Sequence, residues 1–197
     1  MADRLTDDVA LALLANTIAT AAVLFALVTA FLAVSGAQFN PAVTLVVLMR
    51  GGMSGSEAAA RIAVQVIGGL CGTILAHAMF SLPLWQIAGT LRSGGPQWLA
   101  EAAATFGLVL SILGVQRAPG APVAATVALY IAAAYWFTSS TSFANPAVTL
   151  ARAFSDSFAG IRPVDVPAFV LAQLVGAGLA AGLAGWLFRP DAGTAGR

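Results

Sequence analysis

The chain has 197 residues, of which 59% are hydrophobic and 9% are charged, and its formal net charge is +1. A soluble globular domain carries about a quarter charged residues, so this composition, with a mean hydropathy of +0.90, excludes an ordinary soluble domain and indicates a membrane protein. The basic residues are all arginine and form no cluster, which excludes nucleic acid as a partner. The single cysteine, Cys71, permits no intramolecular disulfide.

Five stretches that carry at most one charge are candidate membrane spans. The first and the fourth, residues 9–49 and 118–151, contain 41 and 34 residues. A helix crosses the hydrocarbon core with about 20 residues, so each of these two stretches must hold a further element besides one crossing. The other three candidates are 62–91, 93–116, which is interrupted only by Glu101, and 166–188.

The further element is visible because the sequence repeats itself. The string Asn-Pro-Ala-Val-Thr-Leu occurs at 40–45 and again at 145–150, an offset of 105 residues. Gln-x-x-Gly follows each copy, at 65–68 and at 173–176. Such duplication predicts a single membrane domain built from two homologous halves. The predicted limits are 1–197 for the domain, 1–91 for the first repeat, 92–188 for the second repeat and 189–197 for a disordered tail.

The Asn-Pro pairs predict the starts of short helices. Asparagine caps free backbone N–H groups, and proline at the first helical position loses nothing by lacking its own. The predicted helices, 41–50 and 146–155, are about 15 Å long, half of the hydrocarbon core, so each is predicted to dip into the membrane and return. One Asn-Pro-Ala alone is more often a plain helix start after a loop, whereas two matching copies favour paired half-helices.

Residues 35–45, Ser-Gly-Ala-Gln-Phe-Asn-Pro-Ala-Val-Thr-Leu, and 145–147, Asn-Pro-Ala, resemble the two signatures of the aquaporin, or major intrinsic protein, family. Glu101 and Thr105 resemble the start of its fourth helix. The resemblance implies an all-α integral membrane fold, an inverted repeat in which two half-helices meet head to head beside a pore. It also implies a multi-pass homotetramer of the cell (inner) membrane that has no enzymatic activity, no cofactor and no metal, with only the lipid bilayer and small neutral solutes as further partners.

The sequence departs from the family pattern at its beginning. The family has two helices before its first Asn-Pro-Ala, and here only residues 9–34 precede it. We therefore expect five full transmembrane helices, with the first of six missing, and two re-entrant half-helices. We interpret Met1 as an internal methionine of a longer gene, and a genuine five-span protein is the alternative.

By resemblance, the pore residues are the two Asn-Pro-Ala triplets, and Thr20, Ala133 and Val148 form the selectivity filter. The register of Ala133 allows a slip of one or two residues. Val148 stands where the family usually has arginine, which predicts a wider and more apolar constriction. Loop support is assigned to Glu101, as an acceptor for the second re-entrant loop, and to Arg152. Arg152 either replaces the missing arginine in part or, as the preferred interpretation, lies at the outer mouth or snorkels to the interface. The triplet residues are Asn40, Pro41, Ala42, Asn145, Pro146 and Ala147.

The implied function is a passive channel for small neutral solutes that excludes protons and ions. Arg-less bacterial members of the family are linked to arsenical efflux, which favours arsenite and glycerol-like polyols as solutes, with water alongside. The alternatives are a strict water channel, an ion-coupled secondary transporter and a non-conducting fragment of a longer channel. His77 has no second histidine, cysteine or aspartate at ligand spacing, so we interpret it as a packed or hydrogen-bonding residue, and Cys71 as a small core residue.

Overall fold

The computed structural model describes residues 1–189, except the side chain of Asp3, and this part of the chain is built from helices without any strand. The predicted tail, 189–197, falls outside these residues beyond Arg189. The helices are α1 (Ala2–Leu5), α2 (Val9–Ser35), α3 (Pro41–Met49), α4 (Gly55–Met79), α5 (Gly95–Val115), α6 (Val123–Phe137), α7 (Pro146–Arg152) and α8 (Val166–Leu187), the last preceded by a 3-10 turn (Pro163–Asp165).

Among residues 1–189, four helices are long and apolar enough to cross a membrane. They are α2, α4, α5 and α8 with its preceding turn, and their mean hydropathy lies between 1.7 and 2.4. The predicted all-α, multi-pass membrane architecture is confirmed. The remaining predicted span, α6, has 15 residues, which corresponds to about 22 Å and is less than a full crossing. It is short because Pro122 precedes its first turn and the chain turns extended at Thr138.

The helix α4 is displaced from the predicted stretch 62–91. It starts seven residues earlier because the Ser54 hydroxyl accepts a hydrogen bond from the Glu57 N–H, at 3.2 Å, and so caps its first turn. Glu57 and Arg61, one helical turn apart, form an ion pair at 2.8 Å, which allows charges inside the helix. The helix ends at Met79, and the segment up to Gly94 contains no further helix.

The two half-helices are α3, with nine residues, and α7, with seven. The helix α7 ends at Arg152, three residues before the predicted limit of 155, because the backbone changes there from helical hydrogen bonds to those of tight turns. The N–H groups of Ala153 and Phe154 bond to carbonyls only three residues back. Both half-helices contact α4 and α8, and they contact each other.

The most extensive packing joins α5 to α8. Gly176 makes this approach possible, because a Cβ atom there would lie 2.1 Å from the carbonyl oxygen of Ala102. The other long pair is α2 with α6, and α5 also packs on α6. The half-helices are therefore held by α4 and α8, while α2, α5 and α6 complete the surroundings of their tips.

Candidate functional site

Each half-helix starts with the cap that its sequence predicts. The Asn40 side-chain oxygen accepts the N–H of Ala42 at 2.9 Å. The Asn145 side-chain oxygen accepts the N–H groups of Ala147 at 3.0 Å and Val148 at 3.3 Å. A proline follows each asparagine at the start of the helix, where no backbone donor is needed.

The amide nitrogens of the same two asparagines connect the two motifs. Asn40 Nδ2 donates to the carbonyl of Ala144 at 2.7 Å, and Asn145 Nδ2 donates to the carbonyl of Phe39 at 2.9 Å. Ala144 and Phe39 each directly precede the opposite Asn-Pro-Ala. The structure therefore brings the two half-helices together tip to tip, with each asparagine holding its own helix and the opposite loop.

Glu101 lies fully buried beneath the second tip. One carboxylate oxygen accepts the N–H of Phe143 at 2.8 Å and the hydroxyl of Ser140 at 2.6 Å. The other accepts the N–H of Ala144 at 2.9 Å and the amide of Gln173 at 2.6 Å. Four donors, three from the loop before Asn145 and one from α8, thus surround a single carboxylate, so the turn that precedes Asn145 is held from below.

A cavity of about 430 Å³ lies against the tips of both half-helices. Its wall contains both asparagines, and most of its other side chains are aliphatic. Few polar side chains reach it, and most of them lie near the tips or near the C-terminal ends of α6 and α7. The polar and aromatic side chains of the wall are Thr20, Gln38, Phe39, Asn40, Gln116, Tyr135, Ser142, Phe143, Asn145 and Arg152.

Of the three predicted filter residues, Thr20 and Val148 line this cavity and Ala133 does not. The prediction for Ala133 is wrong, because that residue lies on an exposed face of α6. Four side chains of α6, spaced four residues apart, line the cavity: Val123, Val127, Ile131 and Tyr135. Tyr135, two positions after Ala133, is the polar one, and its hydroxyl lies 3.4 Å from the Thr20 hydroxyl. The two positions differ by about 200° around a helix, so a slip of two residues changes the face.

Arg152 also lines the cavity, one helical turn beyond Val148. Its Nη2 donates to the Tyr135 hydroxyl at 3.3 Å, and its guanidinium carbon lies 4.3 Å from the centroid of the Phe143 ring. The side chain is half-buried. The place of Arg152 at the cavity wall agrees with both interpretations of this residue, so its role in the filter stays a prediction.

Arg92 is a residue of the site that sequence reasoning missed. It lies between α4 and α5, is buried, and donates to the carbonyls of Gly160, Ser140 and Phe158 at 2.6, 2.8 and 2.9 Å. Its guanidinium carbon lies 4.8 Å from the Phe143 ring centroid. Burial, followed by the nearby charge of Arg152, lowers the pKa of Arg92 to about 10, so it stays protonated at neutral pH. Backbone carbonyls leave no mark in a sequence, and only burial could have identified this arginine.

The remaining marked residues lie away from the cavity wall. His77 is buried, with Nδ1 2.9 Å from the Leu84 carbonyl and Nε2 3.4 Å from the Ser155 hydroxyl. The hydrogen-bonding interpretation of His77 therefore agrees with the structure. Cys71 is exposed and not a core residue, because it lies on a face of α4 that no described helix covers.

A comparison of the sequence with models of known protein families identifies the family of this chain. A profile described as "Major intrinsic protein" matches residues 2–136, more than half of the chain. The chain belongs to the major intrinsic protein family. The predicted aquaporin-like fold and family are thereby confirmed, and this major intrinsic protein is a membrane channel and not an enzyme.

Two relatives of this major intrinsic protein support the same conclusion. "Aquaglyceroporin AqpS" of Rhizobium meliloti (strain 1021) is 54% identical over 190 residues, covering 96% of this chain and 82% of AqpS. "Probable aquaporin AqpM" of Archaeoglobus fulgidus is 34% identical over 191 residues, covering 89% of this chain and 73% of AqpM. Both alignments extend over the two Asn-Pro-Ala motifs, since they cover 96% and 89% of the chain.

Proposed function

We propose that this chain is a passive channel for small neutral solutes, in particular glycerol-like polyols and arsenous acid, with water as an accompanying permeant. The observation that carries the proposal is that one cavity is lined by both capping asparagines and by Val148. A neutral solute there exchanges hydrogen bonds with water for hydrogen bonds with fixed groups of the wall, and no chemical step is needed.

Exclusion of ions follows from the two helix N-termini at the tips. A helix N-terminus carries about half a positive charge, and two of them facing one region disfavour cations and protons. Each amide nitrogen of Asn40 and Asn145 has two hydrogens, of which one is engaged by the opposite loop. The second hydrogen of each is the donor that we assign to the passing solute.

The filter that we propose consists of Thr20, Tyr135, Val148 and Arg152. Val148 offers no hydrogen bond and little bulk where an arginine would narrow the passage, so molecules with an apolar face fit beside it. Tyr135 and Thr20 supply hydroxyl groups, whose oxygens lie 3.4 Å apart. Such a mixed wall suits polyols, and it suits polyol-shaped hydroxides such as arsenous acid, which is uncharged at neutral pH.

The relative that is 54% identical is named an aquaglyceroporin, and this name supports a polyol as a solute of this chain as well. An ion-coupled carrier would need a buried charge that is free to bind its ion. Glu101 does not offer one, because its carboxylate already accepts four hydrogen bonds from the protein. We therefore favour downhill conduction over coupled transport.

Assembly as a homotetramer in the inner membrane completes the proposal. Gly178 and Gly182 on α8 have open space where a Cβ would lie. Small residues on exposed faces let a neighbouring helix approach closely. Light scattering in detergent, corrected for the detergent mass, is expected to give four times the chain mass of 19.9 kDa.

The test is stopped-flow permeation in proteoliposomes with the variant Val148→Arg. We expect glycerol and arsenite flux to fall about tenfold, a change equivalent to ~1.4 kcal/mol, and water flux to fall less, because the guanidinium narrows the passage and restores donors. The matched control is Val148→Met, which adds length without donors and is expected to lower glycerol flux less.

Three outcomes would contradict the proposal. Equal loss of all three fluxes in Val148→Arg would remove the filter argument. Water flux without glycerol or arsenite flux in the wild type would show a strict water channel. Arsenite uptake that requires a proton gradient would show a carrier.

A further inference from the structure

Arg152 reaches the cavity wall with few partners of its own. Within residues 1–189 it forms no salt bridge, and the one hydrogen bond of its side chain, to the Tyr135 hydroxyl, is 3.3 Å long. Its other contact is the face of the Phe143 ring, whose centroid lies 4.3 Å from the guanidinium carbon. The position of the Arg152 charge therefore depends on where that ring is held.

The Phe143 ring is held by groups that are themselves fixed. It is 4% exposed, and it meets the Phe169 ring edge to face, with 5.5 Å between the centroids. Its backbone N–H donates to buried Glu101. Its other cationic neighbour is Arg92, whose guanidinium carbon lies 4.8 Å from the ring centroid.

Arg92 differs from Arg152 in that all three of its guanidinium nitrogens are engaged. They donate to carbonyls in two loops, the one before Asn145 and the one after α7. These carbonyls offset the charge of Arg92, so it can stay close to a second cation over the same ring. A planar fork with five N–H donors makes this set of bonds, and a lysine ammonium cannot reproduce it.

We propose that Arg92 is a positioning residue of the channel filter, which holds the Phe143 ring and the flanking loops so that the Arg152 guanidinium stays at the cavity wall. This inference rests on the proposed function, because it assigns Arg92 an effect on solute selection. When Arg92 is replaced, the Arg152 side chain is released from the ring and enters the passage, where it obstructs glycerol more than water.

The test combines Arg92→Lys with Arg152→Gln in proteoliposomes and compares glycerol-to-water permeability ratios, which do not depend on the amount of folded protein. For Arg92→Lys we expect the ratio to fall about fivefold, the size of a lost cation–π contact at a partly desolvated site. For Arg152→Gln we expect it to rise, since the shorter side chain leaves the passage wider. The double variant is expected to match Arg152→Gln alone.

The matched control is Arg117→Lys. Arg117 also lies over a phenylalanine ring, 5.3 Å from the Phe188 centroid, and also donates to a backbone carbonyl, but it joins the ends of α5 and α8 away from the filter. Its variant is expected to leave the ratio unchanged. A shift in the control equal to that in Arg92→Lys would overturn the inference.

A second measurement does not depend on conduction. The nine arginines, labelled with ¹⁵N, give Nε–H signals in NMR, and the Arg152 signal is identified by its loss in Arg152→Gln. We expect its exchange with water to speed up about fivefold in Arg92→Lys and to stay unchanged in Arg117→Lys.

The outcomes separate the two proposals. If Arg152→Gln shifts the ratio and Arg92→Lys does not, the positioning role is overturned while the channel stands. If Arg92→Lys lowers the ratio by the same factor in the presence and absence of Arg152, Arg92 is structural only. If the wild type does not conduct, the proposed function fails, and the unchanged or altered exchange of Arg152 still decides whether Arg92 positions it.

Discussion

The two repeats use the same Gln-x-x-Gly sequence in different surroundings. In the first repeat, Gln65 donates to the Gln38 carbonyl at 2.6 Å and to the Thr44 hydroxyl at 2.9 Å. In the second, Gln173 donates to the Glu101 carboxylate at 2.6 Å and to the Thr149 hydroxyl at 2.8 Å. The threonine contact is common to both repeats, while the second partner is a loop carbonyl in one and a buried carboxylate in the other.

The glycines of the two motifs show the same contrast. Gly176 lies against the backbone of α5, and Gly68 has no atom within 4 Å of a Cβ position. Among the described residues, no helix takes the place beside Gly68 that α5 takes beside Gly176. A repeated motif therefore specifies its own half-helix and cap, whereas its outer packing depends on what the rest of the chain supplies.

Replacing Glu101 with glutamine changes the buried carboxylate that the second repeat has and the first repeat lacks, and it is expected to have the largest effect. The amide nitrogen of a glutamine would face the N–H of Ala144 or the amide of Gln173, donor against donor, in a fully buried place. We expect a loss of about 3 kcal/mol in the free energy of unfolding, because buried donors lose their acceptor. Thermal unfolding in detergent measures it.

The control for Glu101→Gln is Glu57→Gln, which removes an exposed pair within one helix. That change is expected to cost about 0.5 kcal/mol or less. Similar melting temperatures for the two variants would show that the carboxylate does not support the second loop.

The variants Gly176→Ala and Gly68→Ala test the difference in helix packing at equivalent positions of the two repeats. In Gly176→Ala the new methyl group meets the Ala102 backbone, which cannot move without shifting α5, so we expect a loss of about 2–3 kcal/mol. In Gly68→Ala the methyl group enters open space, and the better helix propensity of alanine is expected to leave stability unchanged or about 0.5–1 kcal/mol higher.

Denaturation of both glycine variants alongside the wild type gives the comparison. If Gly68→Ala were as destabilising as Gly176→Ala, the face of α4 at Gly68 would be packed as closely as the face of α8 at Gly176. The structure shows the opposite.

A substitution in the loop before the first asparagine is expected to change the free energy of unfolding least. Gly36 and Thr141, which are 105 positions apart, have φ values of 73° and 60°, both in the left-handed region. A threonine adopts this conformation only under constraint, which Glu101 supplies in the second loop through Ser140 and Phe143. The first loop has glycine instead, so Gly36→Ala is expected to cost about 1 kcal/mol.

Gly55→Ala is the control for the loop prediction, because Gly55 has no positive φ and no close neighbour. Its melting temperature is expected to equal that of the wild type. A Gly36→Ala protein that is as stable as this control would mean that position 36 tolerates the left-handed conformation without glycine, as Ala37 does with a φ of 49°.

The sequence was sufficient for the parts of the site that depend on local chemistry. Asparagine followed by proline predicted both starts, at Pro41 and Pro146, because capping needs only neighbouring residues. The end of α7 at Arg152 was not predictable to the residue, since apolar residues continue and the turns there depend on tertiary contacts. Loop carbonyls that meet Arg92 come from residues up to 68 positions away and carry no side-chain signal.

The prediction of which side of α6 faces the cavity failed for a related reason. Apolar residues occupy all faces of that helix, so no periodicity indicates which face meets the cavity. Ala133 and Tyr135 were therefore equivalent in the sequence, although one is exposed and the other 5% exposed. A hydroxyl-bearing aromatic residue in an otherwise apolar helix was the available signal, since tyrosine seeks a polar partner.

The hydrogen bond from Asn40 to Ala144 spans 104 positions, and this has a consequence for biosynthesis. Translation delivers the first half-helix well before its partner carbonyl exists, so α3 waits, with both amide hydrogens of Asn40 lacking the Ala144 carbonyl, until most of the protein has emerged from the ribosome. Irregular backbone at bilayer depth survives only when protein or water shelters it. The closing of the two tips is therefore a late step of maturation, and a translation product that stops before residue 144 leaves the first motif without its counterpart.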